Sequence, residues 1–217
     1  MPSRFSERPE VIEDQGLPVR RLRTADQLRA LAHPRRMEII DLLIAQGPLT
    51  ASECATRLSD SAASCSYHLR QLARFGFVEE AEGGRGRNRP WRWVPVGNQF
   101  EGSGSPAEQA AAEALDAVLD ARNIDRIRRF RAGRTTDPWR SSATVSDWAI
   151  WMTEVELVEV GEALTALLAP LQRRSFAGGA PPGSRLVDVL AYLMPRPVEG
   201  AVAPESEPGT QRRSRRP

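Results

Sequence analysis

The breaks between Thr24 and Pro95 limit this chain more than any other feature. His33-Pro34, Gly47-Pro48, the polar run Ser59 to Ser61, and Gly76 recur at short intervals. No helix there can exceed about four turns, because Pro removes a backbone donor and Gly favours the left-handed geometry that stops a helix. Leu28, Leu31, Ile39, Leu42 and Leu43 give residues 24–46 a helical apolar period, which His33-Pro34 divides into two helices. Thr50 and Glu53 form a capping box that opens a third helix over 51–58. A fourth is expected over 62–75, with Cys65, Leu69 and Leu72 on one face and Gly76 at its end. Helices this short are marginal alone, so the four must share one core.

Two strand-type runs follow, 77–81 and 91–95, on either side of the basic, Gly-rich stretch 83–90. They read as a hairpin with a flexible tip. Three helices, a short turn, a fourth helix and a basic hairpin are the element order of a winged helix-turn-helix, with the third and fourth helices as the reading pair. The expected fold class is therefore mainly α with a small β wing: a winged helix-turn-helix at 21–98, then a long helix and a small strand-helix-strand region.

Beyond the linker at 102–105, residues 106–131 are Ala-rich and carry Leu115, Val118, Leu119, Ile124 and Ile127, which predicts one long helix packing against a partner. Residues 145–152 and 186–194 read as strands, and between them Thr153 and Glu156 cap a helix over 154–174. This makes 106–195 the expected dimerisation region, with an effector-sensing role as a second reading. Trp148 and Trp151 fall on opposite faces of a strand, as core residues or one wall of a pocket. Residues 1–20 and the basic tail 196–217, polar and broken by prolines, are expected to be disordered.

The 217-residue chain has a net charge of only +2, but the charge is unevenly placed. Residues 61–92 hold Arg70, Arg74, Arg85, Arg87, Arg89 and Arg92 against three acids, whereas 141–172 has five acids and no Arg. Every basic residue is Arg. That suits bidentate phosphate and guanine contacts, although a biased genomic base composition gives the same preference. Helical phase turns Ala63, Tyr67, Arg70, Gln71 and Arg74 outward on the fourth helix, with Ser64 and Ser66 flanking and Ser61 at its start. That face is donor-rich and free of acid, unlike an ordinary solvated face of mixed sign. His68 lies at the core edge by phase, as a structural histidine. The expected DNA-binding set is thus Ser61, Ala63, Ser64, Ser66, Tyr67, Arg70, Gln71 and Arg74 on the helix, with Arg85, Arg87 and Arg89 on the wing.

The run from Ser61 through His68-Leu69 to Leu72, ending in Phe75 to Val78, has the form S-x-x-x-S-x-H-L-x-x-L followed by a Gly turn. With Leu31 to Arg36 (L-A-x-P-x-R) and Gly47 to Thr50, it resembles the ArsR-like group of bacterial winged-helix transcriptional regulators over about residues 25–96. The resemblance implies a homodimer that places the fourth helix in the major groove and the wing against the backbone or minor groove of double-stranded DNA. Some members of that group bind metal through a Cys-x-Cys motif on the third helix. Here only Cys54 stands there, and a site from Cys54, Cys65 and His68 is disfavoured, so no metal and no cofactor is expected.

With two His and two Cys, the nucleophile-base options reduce to Cys65 with His68, both already used by the helix-turn-helix, and no phosphate-binding glycine motif occurs. The expectation is no enzyme. Neither a signal-type segment nor a run of eighteen apolar residues is present, and two isolated cysteines suit a reduced compartment, so a cytoplasmic protein with no membrane partner is expected. The function expected is a sequence-specific regulator, a homodimeric repressor with a small-molecule effector as candidate ligand. The alternative is a protein-interaction or architectural module that keeps a winged helix of low sequence specificity.

Overall fold

The computed structural model describes residues 8–84, 88–100, 104–133, 137–178 and 180–196. Its elements are β1 (Glu10–Asp14), β2 (Leu17–Leu22), α1 (Ala25–Leu31), α2 (Pro34–Gln46), α3 (Ala51–Leu58), α4 (Ala62–Arg74), β3 (Val78–Glu80), β4 (Trp91–Trp93), β5 (Gly97–Phe100), α5 (Pro106–Ala132), a 3₁₀ turn (Pro138–Ser142) and α6 (Glu154–Phe176). The fold is mainly helical with a small wing-like sheet, the winged helix expected for this half of the chain.

The breaks work as the sequence predicts. His33 caps α2 by accepting from the Arg35 amide through Nδ1 (3.1 Å), with Pro34 in the first helical position where its missing N–H costs nothing. Thr50 and Glu53 close the capping box of α3, and Ser59 ends that helix in the left-handed region at φ 52°. α4 ends in a Schellman motif: Phe77 N donates to Leu72 O and Gly76 N to Ala73 O, both at 3.0 Å, with Gly76 at φ 74°.

The core beneath these helices is built from Leu28, Leu31, Ile39, Leu43, Cys54, Cys65, Leu69, Leu72, Phe77 and Val78, among others. Leu69 and Leu72 are fully buried, and truncating either to Ala should cost about 2–5 kcal/mol. β3 and β4 form the antiparallel wing, and Leu49 adds a short third edge by exchanging two backbone bonds with Trp91 (3.0 and 2.7 Å).

The chain departs from expectation in three places. The disordered tail expected at 1–20 instead holds a β-hairpin from residue 10 onward. β1 pairs antiparallel with β2, and β2 pairs parallel with β5, in the order β1-β2-β5. Leu17 and Leu22 are buried, which supplies the apolar anchor that makes ordering this polar segment worthwhile. Of the tail expected at 196–217, all but Arg196 lies outside the described residues.

α5 matches the expected long helix, but of the stripe expected to face a partner Leu115, Val118 and Leu119 are covered within the chain, while Ile124 and Ile127 stay exposed. Ala111 and Leu115 are buried in the winged-helix core, and Val118 and Leu119 pack against it, with α1 the main neighbour. Asp41 of α2 ties down the next turns by accepting from Arg122 and Arg126.

The strands expected at 145–152 and 186–194 do not form: neither segment has regular structure, and only the helix between them is present. A strand needs an adjacent edge to pair with, and among the described residues no sheet includes either segment. Trp148 and Trp151 are correspondingly 77% and 99% exposed, neither core nor pocket wall. No helix among the described residues is long and apolar enough to cross a membrane.

Candidate nucleic-acid interface

α4 is positioned from three sides. Its inner face, Cys65, His68, Leu69 and Leu72, is buried against α2 and α3. At its C-terminus, Arg20 of β2 reaches the Gly76 carbonyl (2.6 Å) with its guanidinium over the Phe77 ring (5.2 Å). Burial of Arg20 lowers its pKa to about 10, so the side chain remains a cation at neutral pH and completes the carbonyl end of the turn. At the N-terminus, Ser61 Oγ accepts from Ser64 N (3.0 Å), while the Asp60 carboxylate accepts from Ser61 N (2.7 Å) and Ser64 Oγ (3.0 Å). Hydrogen bonds from Ser61 and Ser64, aided by Arg35, hold the Asp60 carboxyl below the usual carboxylate range.

Arg35 is the residue that joins the two halves of the motif. From α2 it contacts Asp60 (Nε to Oδ2, 3.1 Å) and Glu38 (2.7 Å) and donates to the Leu58 carbonyl (3.1 Å). It thereby fixes the α3–α4 turn to the helix beneath. Sequence reasoning did not single out Arg35 or Asp60. An Asp in the turn and an Arg in the first turn of α2 were visible, but their meeting depends on how α2 packs against the α3–α4 turn.

The outward face is as the helical phase predicts. Ala63, Tyr67, Arg70 and Arg74 are exposed, and Ser64, Ser66 and Gln71 are half-buried at its edges. Arg70 Nε donates to the Ser66 carbonyl of its own helix (3.1 Å), and the side chain is exposed. Tyr67 stands edge-on to His68 at 5.4 Å, and His68 in turn lies 4.6 Å from His33, ring centre to ring centre. Burial is the main cause of lowered pKa values in both histidines, with Arg36 adding repulsion. They are neutral packing residues at pH 7, as expected for His68. Ser61 and Ser64 have their hydroxyls engaged in capping, so they set the helix end more than they offer free donors.

The wing is described only in part. Arg85 and Arg87 lie outside the described residues. Arg89 is exposed and paired with Glu80 at 2.7 Å, and Arg92 pairs with Glu79. Exposed pairs of this kind contribute about 0–1 kcal/mol, so a phosphate can displace the carboxylate. Gly84, at φ 69°, has its Cα turned towards the Asn88 carbonyl so closely that a Cβ would stand 2.2 Å from the oxygen. Only glycine allows residue 84 to come this close to Asn88.

Cys54 and Cys65 are both fully buried. Burial raises both thiol pKa values, that of Cys54 to about 11, so neither is a thiolate near neutrality.

Among known families, the chain matches one described as a helix-turn-helix domain over residues 31–81, from the end of α1 through β3. No curated protein matches it. The chain thus carries a helix-turn-helix domain, a class of module that binds DNA in regulators by placing its second helix in the major groove.

Proposed function

We propose that this protein is a sequence-specific transcriptional regulator of the ArsR-like kind, a homodimeric repressor that occludes a promoter. The observation that carries the reading is the outer face of α4: Tyr67, Arg70, Gln71 and Arg74 stand together on a helix capped and braced at both ends, with no acid among them. A rigid helix presenting donors is what base-edge readout in the major groove requires. In this reading Arg70 and Gln71 contact base edges and Tyr67 adds an apolar and hydroxyl contact. Ser66 and Arg74 serve the flanking phosphates, and Ala63 permits close approach of the helix to the groove wall. Arg85, Arg87 and Arg89 hold the backbone or a narrow minor groove through the wing. A small-molecule effector would act through 106–195 by favouring a dimer geometry whose two α4 helices no longer match the half-sites.

Selection of bound fragments from genomic DNA with the purified protein tests the reading. It should return an inverted repeat whose half-sites lie about 34–36 Å apart or a multiple of that, because two-fold protein symmetry imposes the spacing. Equal affinity for selected and random DNA at fixed salt would instead mean an architectural or protein-interaction module.

A further inference from the structure

Within 137–196, polar contacts hold several residues to the protein while many apolar side chains face out. Arg185 binds the Asp137 carboxylate (2.8 and 2.9 Å) and lies over Trp139 (5.3 Å). Asp188 meets Arg126 of α5 (3.1 Å), and Tyr192 Oη accepts from Asn123 Nδ2 (2.6 Å). The last two ties run residues 188–192 along α5, yet Leu186, Val187, Val189 and Met194 remain exposed, as do Val145, Trp148, Ile150 and Trp151. Only Ala169 is buried among the described residues of 137–196. Besides it, Leu157, Val160, Leu164, Leu168, Phe176 and Leu190 are half-buried, and exposed apolar side chains in this number mark an interaction surface.

Two features specify the occupant. The apolar segments 145–152 and 186–194 are rich in Val, Ile, Leu and aromatics and flank α6, yet among the described residues neither joins a sheet. Each therefore offers strand-competent backbone for another chain to pair. The charge pattern is also self-complementary: α6 exposes Glu154, Glu156, Glu159 and Glu162, while the end of α5 exposes Arg128 and Arg131. A two-fold axis can bring the acidic face of one chain to the basic end of the other. The same acidic face would repel an anionic lipid surface.

We propose that a second copy of this chain covers residues 145–152 and 186–194 and pairs them into an intermolecular sheet, so that the C-terminal unit is completed in trans. This rests on the homodimer reading above and locates its interface away from the α1–α5 contact. The full-length protein is tested by sedimentation and by amide hydrogen exchange over a range of concentrations, with Trp151→Glu and Val187→Glu as variants. Both sites are exposed within one chain, so neither substitution disturbs the winged-helix core.

The expected result is a dimer at micromolar concentration in which amides of 145–152 and 186–194 are protected. Dilution should remove that protection, and each variant should weaken dimerisation by more than about tenfold. A dimer with those amides unprotected and both variants neutral overturns the proposal while leaving a homodimer with its interface elsewhere. A monomer with the amides protected means pairing within one chain. A monomer with them unprotected removes the homodimer reading as well.

Discussion

Asp41→Ala should loosen α5 from the winged helix without touching α4. The Asp41 carboxylate on α2 accepts from Arg122 Nε (2.8 Å), from Arg122 Nη2, and from Arg126 Nη2 (2.7 Å). The side chains are only 28%, 19% and 19% exposed. At an effective dielectric constant of about 20, each charge pair near 4 Å is worth about 4 kcal/mol before desolvation, which takes most of it back. Arg126 keeps Asp188 as a counter-charge after the substitution, so the stranded cation is Arg122. Leaving one half-buried guanidinium unpaired sets the net loss at about 2 kcal/mol. In urea unfolding followed by tryptophan fluorescence, that lowers the midpoint by about 1 M for a slope of about 2 kcal/mol/M. The double variant Asp41→Ala/Arg122→Ala should recover part of the loss, because it removes the stranded charge. A loss below about 0.5 kcal/mol, or simple addition of the two single effects, would refute this role for the cluster.

Gly84→Ala should weaken binding to specific and random DNA by the same factor, because the new Cβ clashes with the Asn88 carbonyl within the wing and leaves the base-reading helix untouched; a loss confined to the specific site would contradict this. The histidine pair predicts an acid-sensitive fold. His33 and His68 have pKa values below the ordinary 6.5, so the unfolded chain takes up protons first as pH falls. Their contribution to stability is whole above about 6.5 and is lost as pH drops through the lowered folded values. The urea midpoint should therefore fall between pH 7 and 5, and less steeply in His68→Gln; identical slopes for both proteins would show that the ring pair does not titrate with folding.

What the sequence disclosed follows from how local each signal is. His33-Pro34, Thr50/Glu53, Ser61 and Gly76 act on neighbours within four residues, so the helix limits and the outward set Ala63, Tyr67, Arg70, Gln71 and Arg74 could be read from spacing. The N-terminal hairpin depends on β5, far along the chain, and nothing local announces that parallel pairing. Its own clue was present in the Gln15-Gly16 turn, both residues at positive φ, with Leu17, Val19 and Leu22 after it. Residues 145–152 and 186–194 show the opposite failure. Their composition suits strands, but composition cannot state whether an edge is available in the same chain. Arg35 and Asp60 read in the sequence as ordinary surface charge, because their pairing exists only where α2 meets the α3–α4 turn.

Arg70→Ala, measured on the selected site and on random DNA over several salt concentrations, bears most directly on whether α4 reads sequence. Arg70 is exposed at the middle of the outer face and bonds to Ser66 of its own helix, so the substitution leaves the fold intact. If the guanidinium meets a base edge, specific binding falls by about 1–3 kcal/mol while random binding changes much less. Equal losses on both, with a flatter salt dependence, would place Arg70 on phosphate and remove α4 as the element that reads sequence.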